Sequence, residues 1–209
     1  PFEQVVYQSY RKKPNFENAQ TIQVLRESFV RTKPQCPNFG VCGGCSMQHM
    51  EATAQVAAKQ RVLEDNLWHI GKVRAESLLP AIYGPSWGYR FRARLSVRYV
   101  RKKEAALVGF RERKGSYVVD MHECLVLPPR VSNLLTPLRE LIAALSIREE
   151  IPQIEVAMGD EELVLCMRHM KPFNAQDLAR LDAFAEEHKI IWWLQPKGLD
   201  TIAPMHAED

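Results

Sequence analysis

The chain has 209 residues, a formal net charge of +3 and 46% hydrophobic residues. That is enough apolar material for one or two cored domains, and it excludes a disordered chain. No apolar run approaches the ~20 residues of a membrane helix, and no signal-peptide pattern opens the chain.

Five cysteines are present, three of them crowded between Cys36 and Cys45. A secreted disulfide scaffold spreads its cysteines, so a reducing compartment, the cytoplasm, is expected. The first residue is not Met, and the segment from Phe2 to Tyr10 reads as the middle of a folded element. A piece cut from a longer protein is therefore expected.

In chain order, residues 3–10 and 20–30 are rich in β-branched residues and suit strands, with a turn from Arg11 to Pro14. Two strands are too few for a stable domain, so the end of a small barrel is expected. Residues 34–48 hold Pro, Gly and Cys and cannot be regular. A helix follows from Glu51 to about His69, with Ala54, Ala57, Ala58, Val62 and Leu67 on one stripe, ended by Gly71.

Residues 89–101 (YRFRARLSVRYVR) carry the clearest period. Tyr89, Phe91, Ala93, Leu95, Val97 and Tyr99 alternate with Arg90, Arg92, Arg94, Ser96 and Arg98. This predicts a long strand with one face on a core and the other formed of guanidinium groups. Strands at 106–111 and 116–121 complete a meander. A helix is expected from Ser132, as its cap, to Ser146. Strands at 153–158, 162–168 and 190–195 and a helix from Asn174 to His188, with Leu178, Leu181 and Phe184 inward, follow. The fold class expected is α+β with a largely antiparallel sheet and flanking helices.

Cys36, Cys42 and Cys45 form C-x5-C-G-G-C, and Cys124 stands far downstream. Structural zinc usually takes two short Cys or His pairs. Three thiolates from one loop and a fourth from elsewhere is an arrangement common to cubane iron–sulfur clusters. Gly43 and Gly44 suit a loop that needs unusual φ values and close backbone approach. Zinc, or a set of plain thiols, are the alternatives. His49 reads as a helix-start residue rather than a ligand. Cys166, in LVLCMRH, reads as a core residue, with no activating base suggested nearby.

The arginine strand has no acid between Tyr89 and Lys103. Planar guanidinium groups bind phosphates bidentately and stack on bases. Tyr89, Phe110 and Tyr117 lie beside basic residues and suit stacking on unpaired bases. The nucleic-acid contact set expected is Arg90, Arg92, Arg94, Arg98, Phe110, Arg111 and Lys114. A solvated outer face, or an acidic protein partner, is the alternative.

Three segments, CPNFGVCGGCSMQH, GYRFRARLSVRYV and VGFRERKGSYVVDMHEC, together closely resemble the bacterial 23S ribosomal RNA (uracil-C5)-methyltransferases that carry a [4Fe-4S] cluster. The resemblance covers nearly the whole chain in order. It implies that Cys36, Cys42, Cys45 and Cys124 bind the cluster. It also implies that residues 1–32 end an OB-like TRAM barrel and that 33–209 form a central iron–sulfur and RNA-recognition domain. The family's third domain binds S-adenosylmethionine and supplies the catalytic cysteine and base. In that chemistry a thiolate adds to uracil C6, C5 takes the methyl group, and a carboxylate removes the C5 proton, with the target base out of its stack.

No Gly-rich loop after a strand is visible here. Leu127 to Arg130 (LPPR) is only superficially like a catalytic loop. No catalytic or adenosylmethionine-binding residue is assigned to this chain, and the piece is expected to be inactive alone. The partner implied is 23S ribosomal RNA, with no membrane and no obligate protein partner. Two other readings stay open: a cluster-bearing DNA repair enzyme fragment, and a non-catalytic RNA-binding or redox-sensing module.

Overall fold

The computed structural model describes residues 2–206. Pro1 and residues 207–209, at the outer ends of the two expected domains, lie outside the described residues. By contact the chain forms two units, one made of residues up to 35 together with 47–83, the other of 36–46 together with the rest from 84 on. Among the described residues, no helix is long and apolar enough to cross a membrane.

In the first unit, β1 (Gln4–Lys13) and β2 (Phe16–Arg26) pair as an antiparallel hairpin. Lys13 pairs with Phe16, so the turn is at Pro14 and Asn15, later than expected. Pro fixes φ and Asn tolerates turn geometry, which places the reversal there. Both strands are largely exposed, with Tyr7, Tyr10, Phe16, Ile22 and Leu25 open to solvent.

Helix α1 (Ala52–His69) starts where predicted. The Glu51 carboxylate caps it, accepting from the backbone N–H of Thr53 at 3.2 Å and of Ala54 at 3.1 Å. Its apolar stripe does not face a core. No residue of α1 is buried, and Val62 and Leu67 are exposed.

The second unit is built on a six-stranded sheet of order β4-β3-β5-β6-β7-β8. Its strands are β3 (Arg92–Val100), β4 (Ala105–Gly109), β5 (Gln153–Met158), β6 (Leu163–Arg168), β7 (Ile191–Gln195) and β8 (Ala203–Pro204). All neighbours are antiparallel except β6 and β7, which are parallel and joined through α4 (Ala175–His188). The α+β class holds, with a mixed rather than purely antiparallel sheet.

The period-two pattern of β3 is observed. Ala93, Leu95 and Val97 are buried, whereas Arg92, Arg94 and Arg98 are exposed. The strand starts later than predicted, and Tyr89 and Phe91 are exposed rather than on the core. Residues 116–121 do not form a third meander strand. A single bridge joins Arg111 and Val118, and the Val119 N–H donates to the Phe110 carbonyl at 2.9 Å.

The core lies on the sheet face carrying Leu95, Ile154, Leu163, Leu165 and Met167, all at 0% exposure. Leu135, Leu138 and Ile142 of α3 (Leu135–Ala144) and Leu181 of α4 join the same cluster. Each such side chain contributes roughly 1.5–3 kcal/mol by leaving water.

The helix expected from Ser132 is split. A short α2 (Pro129–Ser132) precedes α3, and Ser132 does not cap the latter. Asn174 caps α4, its side-chain oxygen accepting from the Asp177 N–H at 2.7 Å. The fully buried Asp177 in turn accepts from the Ser146 N–H at 2.9 Å, tying the start of α4 to the segment after α3.

Candidate metal centre and nucleic-acid interface

All four cysteines of the sequence constellation belong to the second unit. The loop bearing three of them lies against the chain that leaves β4. The Gly43 N–H donates to the Arg111 carbonyl at 2.9 Å, the Arg113 N–H donates to Val41 at 2.7 Å, and Cys42 bridges to Glu112. The turn inside the loop is closed by the Cys42 N–H on the Asn38 carbonyl at 2.9 Å.

The two glycines act by close approach, not by unusual φ. A Cβ on Gly43 would stand 3.1 Å from the Arg111 carbonyl oxygen, and one on Gly44 would stand 3.4 Å from both Cys42 Sγ and the Phe110 ring. The left-handed turn is at Gly40, with φ +93.

Cys124 is buried in the same core cluster as Cys42. The residues after it hold the lead into β3, with the Gly88 N–H on the Leu125 carbonyl and the Arg90 N–H on Val126, both at 2.9 Å. Ser132 accepts from the Cys124 N–H at 2.9 Å. This hydroxyl, read from sequence as a helix cap, instead fixes the distant cysteine. Its spacing from Cys124 carries no signal that sequence reading would detect.

Cys42 and Cys124 are buried, and Cys36 and Cys45 are partly exposed. None of the five cysteines is in a disulfide among the described residues. Burial pushes the Cys42 thiol up, opposed by the Gly44 N–H, which donates to its sulfur at 3.3 Å, and raised further by the nearby Cys45 and Cys36. The Cys124 thiol is raised first by burial as well, opposed by the backbone N–H groups of Val126 and Leu127, and again raised by Cys45 and Cys36.

The Cys42 and Cys124 thiols are thus each raised by Cys36 and Cys45. Such a set gains most from a positively charged group that all of them bind. Among the described residues, no group of three or more His, Cys, Asp or Glu is placed so that it could hold a metal ion. The His49 carbonyl accepts from the Thr32 N–H at 3.0 Å.

Arg90 borders this centre. Its guanidinium lies 5.0 Å from the centre of the Phe110 ring and counters the rise of the Cys42 thiol. Phe110 is 8% exposed and packed in the core, so its ring supports Arg90 and is not open to a base. Tyr89, Phe91 and Tyr117 are exposed.

Along β3 the arginines differ. Arg94 meets Glu155, its direct partner on β5, with Nε 3.0 Å and Nη2 2.9 Å from the same carboxylate oxygen. Arg92 and Arg98 form no ion pair among the described residues. Arg111 donates from Nε to the Ser96 hydroxyl at 3.2 Å, which brings it onto the same face. Lys114 is exposed on the turn beyond.

Beside Arg98 and Arg111 runs an open groove of about 990 Å³, bordered also by Lys102 and Tyr117 and by the acids Glu112, Asp120 and Glu149. Two of these acids are engaged by cations, Glu149 by Arg101 and Asp120 by Lys103 at 3.1 Å and Arg139 at 2.7 Å.

Cys166 is not a core residue. It alternates with the buried Leu165 and Met167, so its half-buried thiol lies on the outer sheet face beside Glu155. Arg130 of the LPPR segment holds loops together, donating to the carbonyls of Glu161 at 2.7 Å and Lys189 at 2.6 Å.

No protein-family model matches the chain. Over all 209 residues it is 59% identical to a Burkholderia lata protein named 23S rRNA (uracil(1939)-C(5))-methyltransferase RlmD, covering 100% of this chain and 45% of that protein. A Bordetella pertussis protein of the same name is 58% identical over 208 residues, again with 45% of its length covered. The chain therefore spans about half the length of the curated relatives it matches. Among solved structures, the Pyrococcus abyssi tRNA (uracil-54, C5)-methyltransferase in complex with S-adenosyl-L-homocysteine shares the fold. Its TM-score is 0.60 at 18% identity, over 95% of this chain and 46% of that one. The resemblance carried by the three sequence segments thus extends over the whole chain.

Proposed function

We propose that this chain is the substrate-recognition and iron–sulfur-binding portion of an S-adenosylmethionine-dependent 23S ribosomal RNA (uracil-C5)-methyltransferase. The observation that supports it most is the similarity, over all of this chain and 45% of the relative, to a protein of that name. Residues 1–32 would end a TRAM barrel, and 33–209 would form the central domain. The reaction itself, its cofactor and its nucleophile belong to the rest of the parent protein, and no residue of this chain performs a chemical step.

Cys36, Cys42, Cys45 and Cys124 would hold a [4Fe-4S] cluster. The donors suit it: four thiols, a loop that closes tightly on sulfur, and a backbone N–H already aimed at one of them. When bound, the group supplies a cross-link between the cysteine loop and the segment after Cys124. That cross-link fixes the lead into β3, and with it the bearing of Arg90.

Ribosomal RNA would lie along the arginine face. Arg92, Arg94, Arg98 and Arg111 present forked donors to phosphate or base edges, Arg90 extends the face toward the cysteines, and Lys114 extends it past the hairpin. Phe110 contributes by holding the Arg90 plane. The test is a binding titration of a U-containing single-stranded ribosomal RNA segment across salt. A slope that flattens when Arg92 and Arg98 become alanine supports the interface, and equal binding by wild type and variant rejects it.

A further inference from the structure

The sheet has two faces, and both α3 and α4 bury their apolar sides on one of them. The other carries three in-register rows across β3, β5, β6 and β7: Arg92, Ala157, Val164, Ile191; then Arg94, Glu155, Cys166, Trp193; then Ser96, Gln153, Arg168, Gln195. Strand spacing of about 4.8 Å makes this face about 14 Å wide. Sheets of four strands with helices behind and aromatic residues in front stack two or three unpaired bases.

Two observations mark the far side of this face as more than an inert surface. Trp192 points inward, donating its indole N–H to the Leu181 carbonyl at 2.9 Å, so its neighbour Trp193 lies on the outer face with a ring of partial exposure. Arg168 has no ion pair among the described residues, and its buried Nε finds no acceptor there. In these rows and on Arg98 beside them, four arginines stand against one carboxylate, Glu155.

We infer that the RNA surface does not end at β3 but crosses the sheet to β7, with Arg168 taking a phosphate and Trp193 stacking on an unpaired base. The inference rests on the reading of the arginine face as an RNA interface. The occupant is single-stranded RNA because the charge is cationic and the aromatic residue stands in register with it. Cys166, between Glu155 and Trp193, lies beneath the bound strand and reports on it.

The experiment uses a short oligouridylate and the unmodified protein, with the alkylation rate of Cys166 read by mass spectrometry. Bound oligonucleotide is expected to slow that rate at least fivefold. Trp193→Leu should weaken binding about tenfold, with most of the loss restored in Trp193→Phe. Arg168→Gln should reduce the slope of log K against log[salt] by about 0.7. If wild type binds, Arg98→Ala weakens it, and yet Cys166 stays unprotected and the Trp193 and Arg168 variants bind normally, the extension is wrong while the β3 interface stands. If wild type does not bind at all, the interface reading itself falls. If Cys166 protection follows protein concentration rather than RNA, the face joins two copies of the chain and the inference is overturned.

Discussion

Replacing Arg94 by alanine separates the stabilising role of the arginine face from its binding role. Arg94 lies at the middle of β3 and touches Glu155 through two nitrogens on one oxygen, which also accepts from Gln153 at 2.8 Å. Both partners are well exposed, at 67% and 40% of side-chain area. An ion pair of that exposure is worth about 0.2–1 kcal/mol. Glu155 keeps Gln153 when Arg94 is lost, so no carboxylate is left bare. The melting temperature should fall by no more than about 5 °C. Affinity for a U-containing single-stranded ribosomal RNA segment should fall by about 1–3 kcal/mol if Arg94 reads a base, and by less, with a shallower salt slope, if it meets phosphate. Arg92→Ala is the companion, since it breaks no ion pair and should leave the melt unchanged. A thermal melt and a filter-binding titration across salt, on the same preparations, give both quantities. Unchanged affinity at every salt concentration, together with a lower melt, would show that Arg94 serves only the sheet.

Other expectations follow from particular contacts. A Cβ at Gly109 would stand 2.5 Å from Met121 Sδ in a side chain only 2% exposed, so Gly109→Ala should cost about 1–3 kcal/mol in urea unfolding; a loss under about 0.5 kcal/mol would mean that Met121 swings aside. The Asp120 carboxyl is held below its usual range, first by the hydrogen bond from Lys103 and also by Arg139. Its folded value is depressed, so its contribution is present above the unfolded value of about 3.9 and lost as pH falls below it. Asp120→Asn should therefore flatten the acid limb of a stability–pH curve, and an unchanged limb would contradict the assignment. Residues 1–209 alone should transfer no methyl group from S-adenosylmethionine and show no binding of it in calorimetry; either signal would overturn the division of labour proposed for the chain.

Much of the second unit was legible because its signals are local. The alternation in 92–100, the loop of glycines and cysteines, and the periodic helix 175–188 each declare themselves within a short window. What was not legible depends on register between distant segments. Glu155 meets Arg94 only because β5 pairs with β3, and nothing near either residue says so. Cys166 sits among apolar neighbours and reads as core, yet alternation on β6 turns it outward. Phe110 reads as a stacking platform beside basic residues, but it follows the buried β4 and packs under Arg90. Ser132 looks like a cap and proves to be an acceptor for Cys124. The apolar stripe of α1 faces no core among the described residues, so periodicity gave the helix without its packing.

Iron and sulfide content decide whether Cys36, Cys42, Cys45 and Cys124 hold a cluster. Protein purified without oxygen should be brown and hold about four irons and four sulfides per chain. Cys124→Ser and Cys42→Ser should each abolish that content and destabilise the fold to a similar degree, since each removes one end of the same cross-link. Stoichiometric zinc without iron or sulfide in such a preparation, or full iron content in Cys124→Ser, would contradict the assignment.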